Sequence, residues 1–163
     1  MGCWTALDRA VRMADSGQLS SAHVQRWRQE REDIRAWINQ YCWSQTKQSY
    51  TFHSATEDLD AATLLVARTG FCAKGDPRLY STVQQGKEGA FLACSGWLVE
   101  ALHRIGRTEE ATRLFDDFAS RANDLGLYSE QIDPVGGELL GNLPQALTHL
   151  AVISAAAVLT QST

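Results

Sequence analysis

Leu127-Tyr128-Ser129-Glu130-Gln131-Ile132-Asp133-Pro134, continuing through Gly136-Gly137 to Gly141-Asn142-Leu143-Pro144-Gln145-Ala146, is the stretch around which the chain is organised. Pro134, Gly136 and Gly137 forbid a helix in its middle. Asn142 is placed to cap a long apolar helix over about 143–159, with Pro144 in its first turn. On the other side, a helical pattern ends near Asn123. Glu130 is thus carried by a structured loop between two helices, a common position for catalytic groups. A loop glutamate is more often merely solvated, so position alone does not give it a role.

Outward from this loop the apolar residues recur at three- and four-residue steps. Ala90 to Ile105 carries Phe91, Leu92, Cys94, Trp97, Leu98, Ala101 and Leu102. Gly106 ends it, and Thr108-Glu109-Glu110 opens the next helix with a capping signature. Near the N-terminus, Cys3, Trp4, Leu7, Val11 and Ala14 form one stripe, with Asp8, Arg9 and Arg12 expected opposite. Gly17 stops that helix. A second runs from Ser20 or Ser21 to Tyr41, and its run Arg26 to Asp33 reads as a solvated face. Residues 43–57 are polar and break the pattern. A third helix is expected from Asp58-Leu59-Asp60 to Gly70, and Asp76-Pro77 starts a short one through Val83.

No segment alternates as a strand would. The expected fold is all-α, with about six substantial helices in antiparallel hairpins. Loops at one end are short, and those at the other end (42–57 and 124–142) are long, as where a site is built. A tetratricopeptide-like solenoid needs a fixed period, and none is present. That favours part of an alpha/alpha toroid.

Composition excludes several functions. The 163 residues suit one domain. The net charge of -4, without a basic stripe, argues against nucleic acid as a partner. No apolar run approaches the roughly 20 residues of a membrane span. Met1 to Arg9 meets charge too early for a signal peptide. Cys3, Cys42, Cys72 and Cys94 lack C-x-x-C spacing and read as free thiols on buried helix faces in a reducing compartment, the cytoplasm. His23, His53, His103 and His149 have no metal-binding spacing. No Gly-rich phosphate loop or Gly-x-Ser-x-Gly elbow is present, so neither metal nor cofactor is expected.

Several blocks resemble, in order, the bacterial glucoamylase and trehalase-like enzymes of glycoside hydrolase family 15. They are Cys3-Trp4-x-Ala6-Leu7-Asp8-Arg9; Leu59-Asp60-Ala61 with Gly70-Phe71 and Asp76-Pro77-Arg78; Glu88-Gly89-Ala90-Phe91-Leu92 through Trp97 to Leu102; and Ala122 to Leu127, Ser129-Glu130, Asp133-Pro134, Gly137 to Asn142 and Pro144-Gln145-Ala146. They cover nearly the whole chain. The resemblance implies that residues 1–163 form a single partial catalytic domain, the C-terminal half of a toroid. It implies inverting hydrolysis of an α-glucan, an oligosaccharide or trehalose, with two carboxyl groups roughly 6.5–9.5 Å apart. Glu130 matches the family's general base. The family's acid lies in a Trp-Glu loop upstream of the Cys3 helix, outside these residues, so the chain alone is expected to be inactive. Two positions depart from the family pattern: Val83 runs almost directly into Gln84, as if a segment were deleted, and Leu143 replaces a frequent aromatic.

One glutamate cannot both donate and accept the protons of such a hydrolysis. Within the chain, Glu88, Asp58 and Asp60 are the other candidate carboxylates. Asp58 and Asp60 read first as helix-start residues. Glu88 lies beside glycine, which lets a sugar approach closely, and is the candidate substrate-binding residue. Trp4, Trp43 and Trp97 could stack on sugar, although Trp4 and Trp97 lie on core stripes. The other reading from the residues is a non-catalytic helical-repeat interaction module.

Half a toroid leaves apolar flanks uncovered, and large apolar patches drive association. The isolated chain is therefore expected to self-associate. Sedimentation should show mass rising with concentration; a monomer throughout a broad concentration range would refute this.

Overall fold

The structure is a computed structural model and describes residues 1–73, 75–85 and 91–160. Seven α-helices are present among the described residues: α1 (Gly2–Asp15), α2 (Val24–Tyr41), α3 (Val66–Thr69), α4 (Pro77–Gln85), α5 (Leu92–Arg104), α6 (Thr108–Ala119) and α7 (Ala146–Thr160). Six run nine residues or more, as the apolar periodicity predicts. The fold is all-α. Glu88 lies outside the described residues.

Three details correct the sequence reading. The chain does pair as strands, in two antiparallel hairpins of two-residue strands. They are β1 (Trp43–Ser44) with β2 (Ser49–Tyr50), and β3 (Gln131–Ile132) with β4 (Leu139–Leu140). Such short pairs leave no alternation to detect. The last helix begins at Ala146, not Leu143, and Leu143–Pro144 is a cis bond just before it. The third helix is a 3-10 segment, Ala61–Leu65, running into α3. The Asp60 carboxylate accepts from the Ala62 N–H at 2.6 Å at its start, and Gly70 closes it at φ +80°.

α5 is the centre of the packing. It buries Leu92 to Gly96 and Val99 to Leu102, and contacts α6, α7, α3 and the 3-10 segment. Its closest neighbour is α7: a Cβ at Gly96 would stand 2.8 Å from Ala151 Cβ and 2.9 Å from Ala151 O. Only hydrogen fits there. A second group of core residues joins α1 to the loops. Trp4 and Tyr50 both meet Phe71 edge-on, with ring centroids 5.2 and 5.8 Å apart. Arg35 of α2 lies over Trp4 and Phe71 and donates to Phe71 O at 2.6 Å. Trp4 is therefore a core residue, and Trp97 packs against the same core.

Asp8 is another correction. It is buried, not solvated, because it lies four residues after Trp4 and three before Val11 on the same stripe. Arg9 and Arg12 at 2.9 Å and Arg31 of α2 at 3.1 Å surround its carboxylate and offset its desolvation. Arg31 is thus drawn in from the run expected to be solvated. Cys72 and Cys94 are buried, as expected of the cysteines, whereas Cys3 is exposed. Burial first, and then the nearby Asp76 carboxylate, push the Cys72 thiol up to about 11.

Apolar surface remains open on both flanks. Leu147, Leu150 and Ile153 are exposed on α7, as are Trp37, Tyr41 and Phe52 at the other side. Among the described residues no helix is long and apolar enough to cross a membrane.

Gly96→Ala should destabilise the chain by about 1–3 kcal/mol, because the added methyl meets α7 backbone as well as a side chain. Denaturant unfolding measures this, and an unchanged midpoint would show that the two helices separate freely.

Candidate active site

Residues 128–131 form a short bridge between α6 and α7, fixed from both sides. α7 holds its start. The Gln145 N–H donates to Tyr128 O at 2.8 Å, and the Thr148 hydroxyl donates to Ser129 O at 2.9 Å. Ser129 and Thr148 are both fully buried. His149 packs edge-on against Tyr128, with centroids 5.3 Å apart. Its Nδ1 lies 2.8 Å from Gln145 O and its Nε2 3.5 Å from the Tyr128 N–H. A neutral ring protonated on Nδ1 satisfies both contacts. The Tyr128 hydroxyl donates to Ala119 O at the end of α6, and burial pushes its pKa up.

α5 holds the other side. The Leu92 N–H in its first turn donates to Glu130 O at 3.1 Å, and Phe91 bridges to Gln131. The backbone of Glu130 is therefore set by the most buried helix of the molecule.

The β3–β4 hairpin then returns the chain to Glu130. At its tip the Asp133 carboxylate accepts from the Val135 and Gly136 N–H groups at 3.1 and 2.8 Å, and Gly137 takes φ +74°. This Asx turn is the physical reason for the Asp-Pro-x-Gly-Gly run. At the base, the Glu130 N–H donates to Asn142 O at 2.9 Å, and the Asn142 N–H donates to Glu130 Oε2 at 3.2 Å. Oε2 is thus fixed by the backbone. Oε1 has no protein hydrogen bond among the described residues, and the side chain is half-buried. A carboxylate anchored through one oxygen has a defined orientation, which a proton acceptor needs.

The remaining candidates are placed differently. Asp58 accepts from the Thr56 hydroxyl at 2.8 Å, so both it and Asp60 serve turn and helix-start geometry. Asp60 nevertheless lies near the first turn of α5: after burial, its charge is the second influence raising the Cys94 thiol pKa. Trp43 meets Tyr50 edge-on and lies under Arg78, 4.9 Å from its ring centroid. Among the described residues no three His, Cys, Asp or Glu side chains gather as a metal site. Sequence reasoning missed the Asn142 backbone contact and the roles of Thr148 and Gln145. Thr148 lies on an apolar helix, and such a residue earns attention only when its partner is known.

The described residues thus define a class by architecture: an all-α scaffold that carries a loop carboxylate anchored between two helices. The chain belongs to the glycosyl hydrolases family 15, whose sequence pattern matches residues 1–85 and 78–157. The trehalase of Mycobacterium tuberculosis (strain ATCC 25618 / H37Rv) is 37% identical over 177 residues, covering 94% of this chain and 26% of that protein. The trehalase of Mycolicibacterium smegmatis is 36% identical over 178 residues, with the same coverage. That of Thermoplasma volcanium is 30% identical over 175 residues, covering 94% and 28%. The chain thus spans 26–28% of the length of these relatives. The two family matches meet at residues 78–85, around the Val83–Gln84 junction. The Mycobacterium tuberculosis match runs over 177 positions while taking in only 94% of the 163-residue chain, so that relative carries residues with no counterpart here.

Thr148→Val should cost about 1–3 kcal/mol, because it leaves the buried Ser129 carbonyl without its donor. It should also speed amide exchange at Tyr128 to Glu130. Equal stability and exchange would mean that α7 does not hold the glutamate's segment.

Proposed function

We propose that residues 1–163 are a single partial catalytic domain, the C-terminal part of an inverting α-glucosidase of the trehalase or glucoamylase type. Glu130 is its general base. The observation that carries this reading is the anchored carboxylate, with Oε2 on the Asn142 N–H and no donor on Oε1 among the described residues. In an inverting reaction the base removes a proton from the attacking water while an acid across the sugar protonates the leaving oxygen. Here the fixed oxygen orients the group and the other accepts the proton. The acid comes from family sequence upstream of α1. Glu88, in the Gly-flanked segment before α5, contacts substrate. Trehalose is the first substrate to test, since the relatives named above are trehalases; maltooligosaccharides follow. The flanks of α1–α2 and α7 take the rest of such a domain, and in its absence they associate with one another. Four cysteines without C-x-x-C spacing support a cytoplasmic location for the protein.

The test is a chimera in which this chain replaces the matching region of the Mycobacterium tuberculosis trehalase. It should hydrolyse trehalose, and Glu130→Gln should lower turnover by about 10²–10⁴-fold while sugar binding persists. The 163-residue chain alone should show no turnover. A folded but inactive chimera would identify the chain as a non-catalytic helical module. Full activity in the Glu130→Gln chimera would remove Glu130 from the mechanism.

A further inference from the structure

We infer that Gly141 is a positioning residue for Glu130, and that the absence of a side chain at position 141 is what lets the carboxylate take its working position. The inference rests on Glu130 being the base, as proposed above. Gly141 lies between β4 and Asn142, directly opposite the glutamate. A Cβ built there would stand 2.8 Å from Glu130 Oε2, 3.3 Å from its Cδ and 2.9 Å from its Cβ. The first contact could be relieved by rotating the carboxylate, but that breaks its bond to the Asn142 N–H. The contact with Cβ cannot be relieved by any rotamer, because Cβ is fixed by the backbone. The strand ends would have to part, losing the Glu130 N–H to Asn142 O bond as well. Gly141 thus leaves the space in which the Glu130 carboxylate keeps its bond to the Asn142 N–H.

Backbone strain alone does not explain the position. Gly141 has φ +73°, which disfavours other residues. Gly137, in the same hairpin, has φ +74°, yet a Cβ there meets nothing within 4 Å. The two glycines share a conformation and differ in what lies across from them. Gly137→Ala is therefore a matched control that carries the strain without the collision.

The experiment compares Gly141→Ala, Gly141→Asn, Gly137→Ala and Glu130→Gln in the chimera. Asparagine tolerates positive φ better than alanine, so Gly141→Asn keeps the collision with less strain. Both Gly141 variants should lose about 10–100-fold in kcat, the scale of a misplaced catalytic group, with KM changed less than about threefold. Exchange in peptides spanning 128–143 should quicken at Glu130 and Asn142. Gly137→Ala should keep kcat within about twofold. Equal kcat in the Gly141 and Gly137 variants would overturn the inference. So would a failure of both Gly141 variants to fold while Gly137→Ala folds, since position 141 would then serve the fold alone. If Glu130→Gln is fully active, the assignment of the base fails first; if it is inactive while Gly141→Ala is normal, only the positioning role fails.

Discussion

The near-contact of Gly96 with Ala151 governs the rest of the molecule. It lets α5 and α7 approach until backbone meets backbone, at the limit of close packing. Helix α7 then lies where Gln145, Thr148 and His149 can reach the 128–129 backbone. The first turn of α5 offers the Leu92 N–H to Glu130 O. A core contact between two small residues thus becomes the geometry of a surface glutamate. Precise sites are carried best on elements whose own positions are fixed.

Glu130 is held almost wholly by backbone groups. The bonds at Tyr128 O, Ser129 O, Glu130 N and O, and Oε2 each have a main-chain partner on one side or both. Main-chain partners move only with their elements, so the loop is ordered although its surface is open. Among the described residues the second carboxylate oxygen has no hydrogen-bond donor.

Two buried acidic residues show a different use of charge. Asp8 gathers three arginines and ties α1 to α2, while Glu100 on α5 pairs, among the described residues, with Arg68 alone at 3.3 Å. Arg68 reaches α7 as well, donating to the Ser154 hydroxyl at 2.8 Å. These pairs link the helical hairpins through groups that must be matched or stay uncompensated. They specify which helices are neighbours, whereas the apolar surfaces of α7 would accept many.

The sequence alone determined the helices, most of the breaks between them and the loop that carries Glu130. Helical periodicity is local, and Ser129-Glu130 with its Asp-Pro-x-Gly-Gly turn is contiguous, so both can be read without neighbours. The burial of Asp8 was not read from the sequence, because it depends on Arg31 arriving from α2 to join Arg9 and Arg12 around the carboxylate. Tertiary structure decided what depends on partners distant in the chain. The two-residue strands exist only because Asn142 returns to Glu130 and Tyr50 to Trp43. The start of α7 falls at Ala146 because Gln145 first serves Tyr128. The roles of Thr148 and Gly141 appear only when Ser129 and Glu130 stand opposite them. A side chain's spacing along one helix is set by covalent geometry, but the atom across from it is set by packing, and that is where Glu130 acquired its orientation.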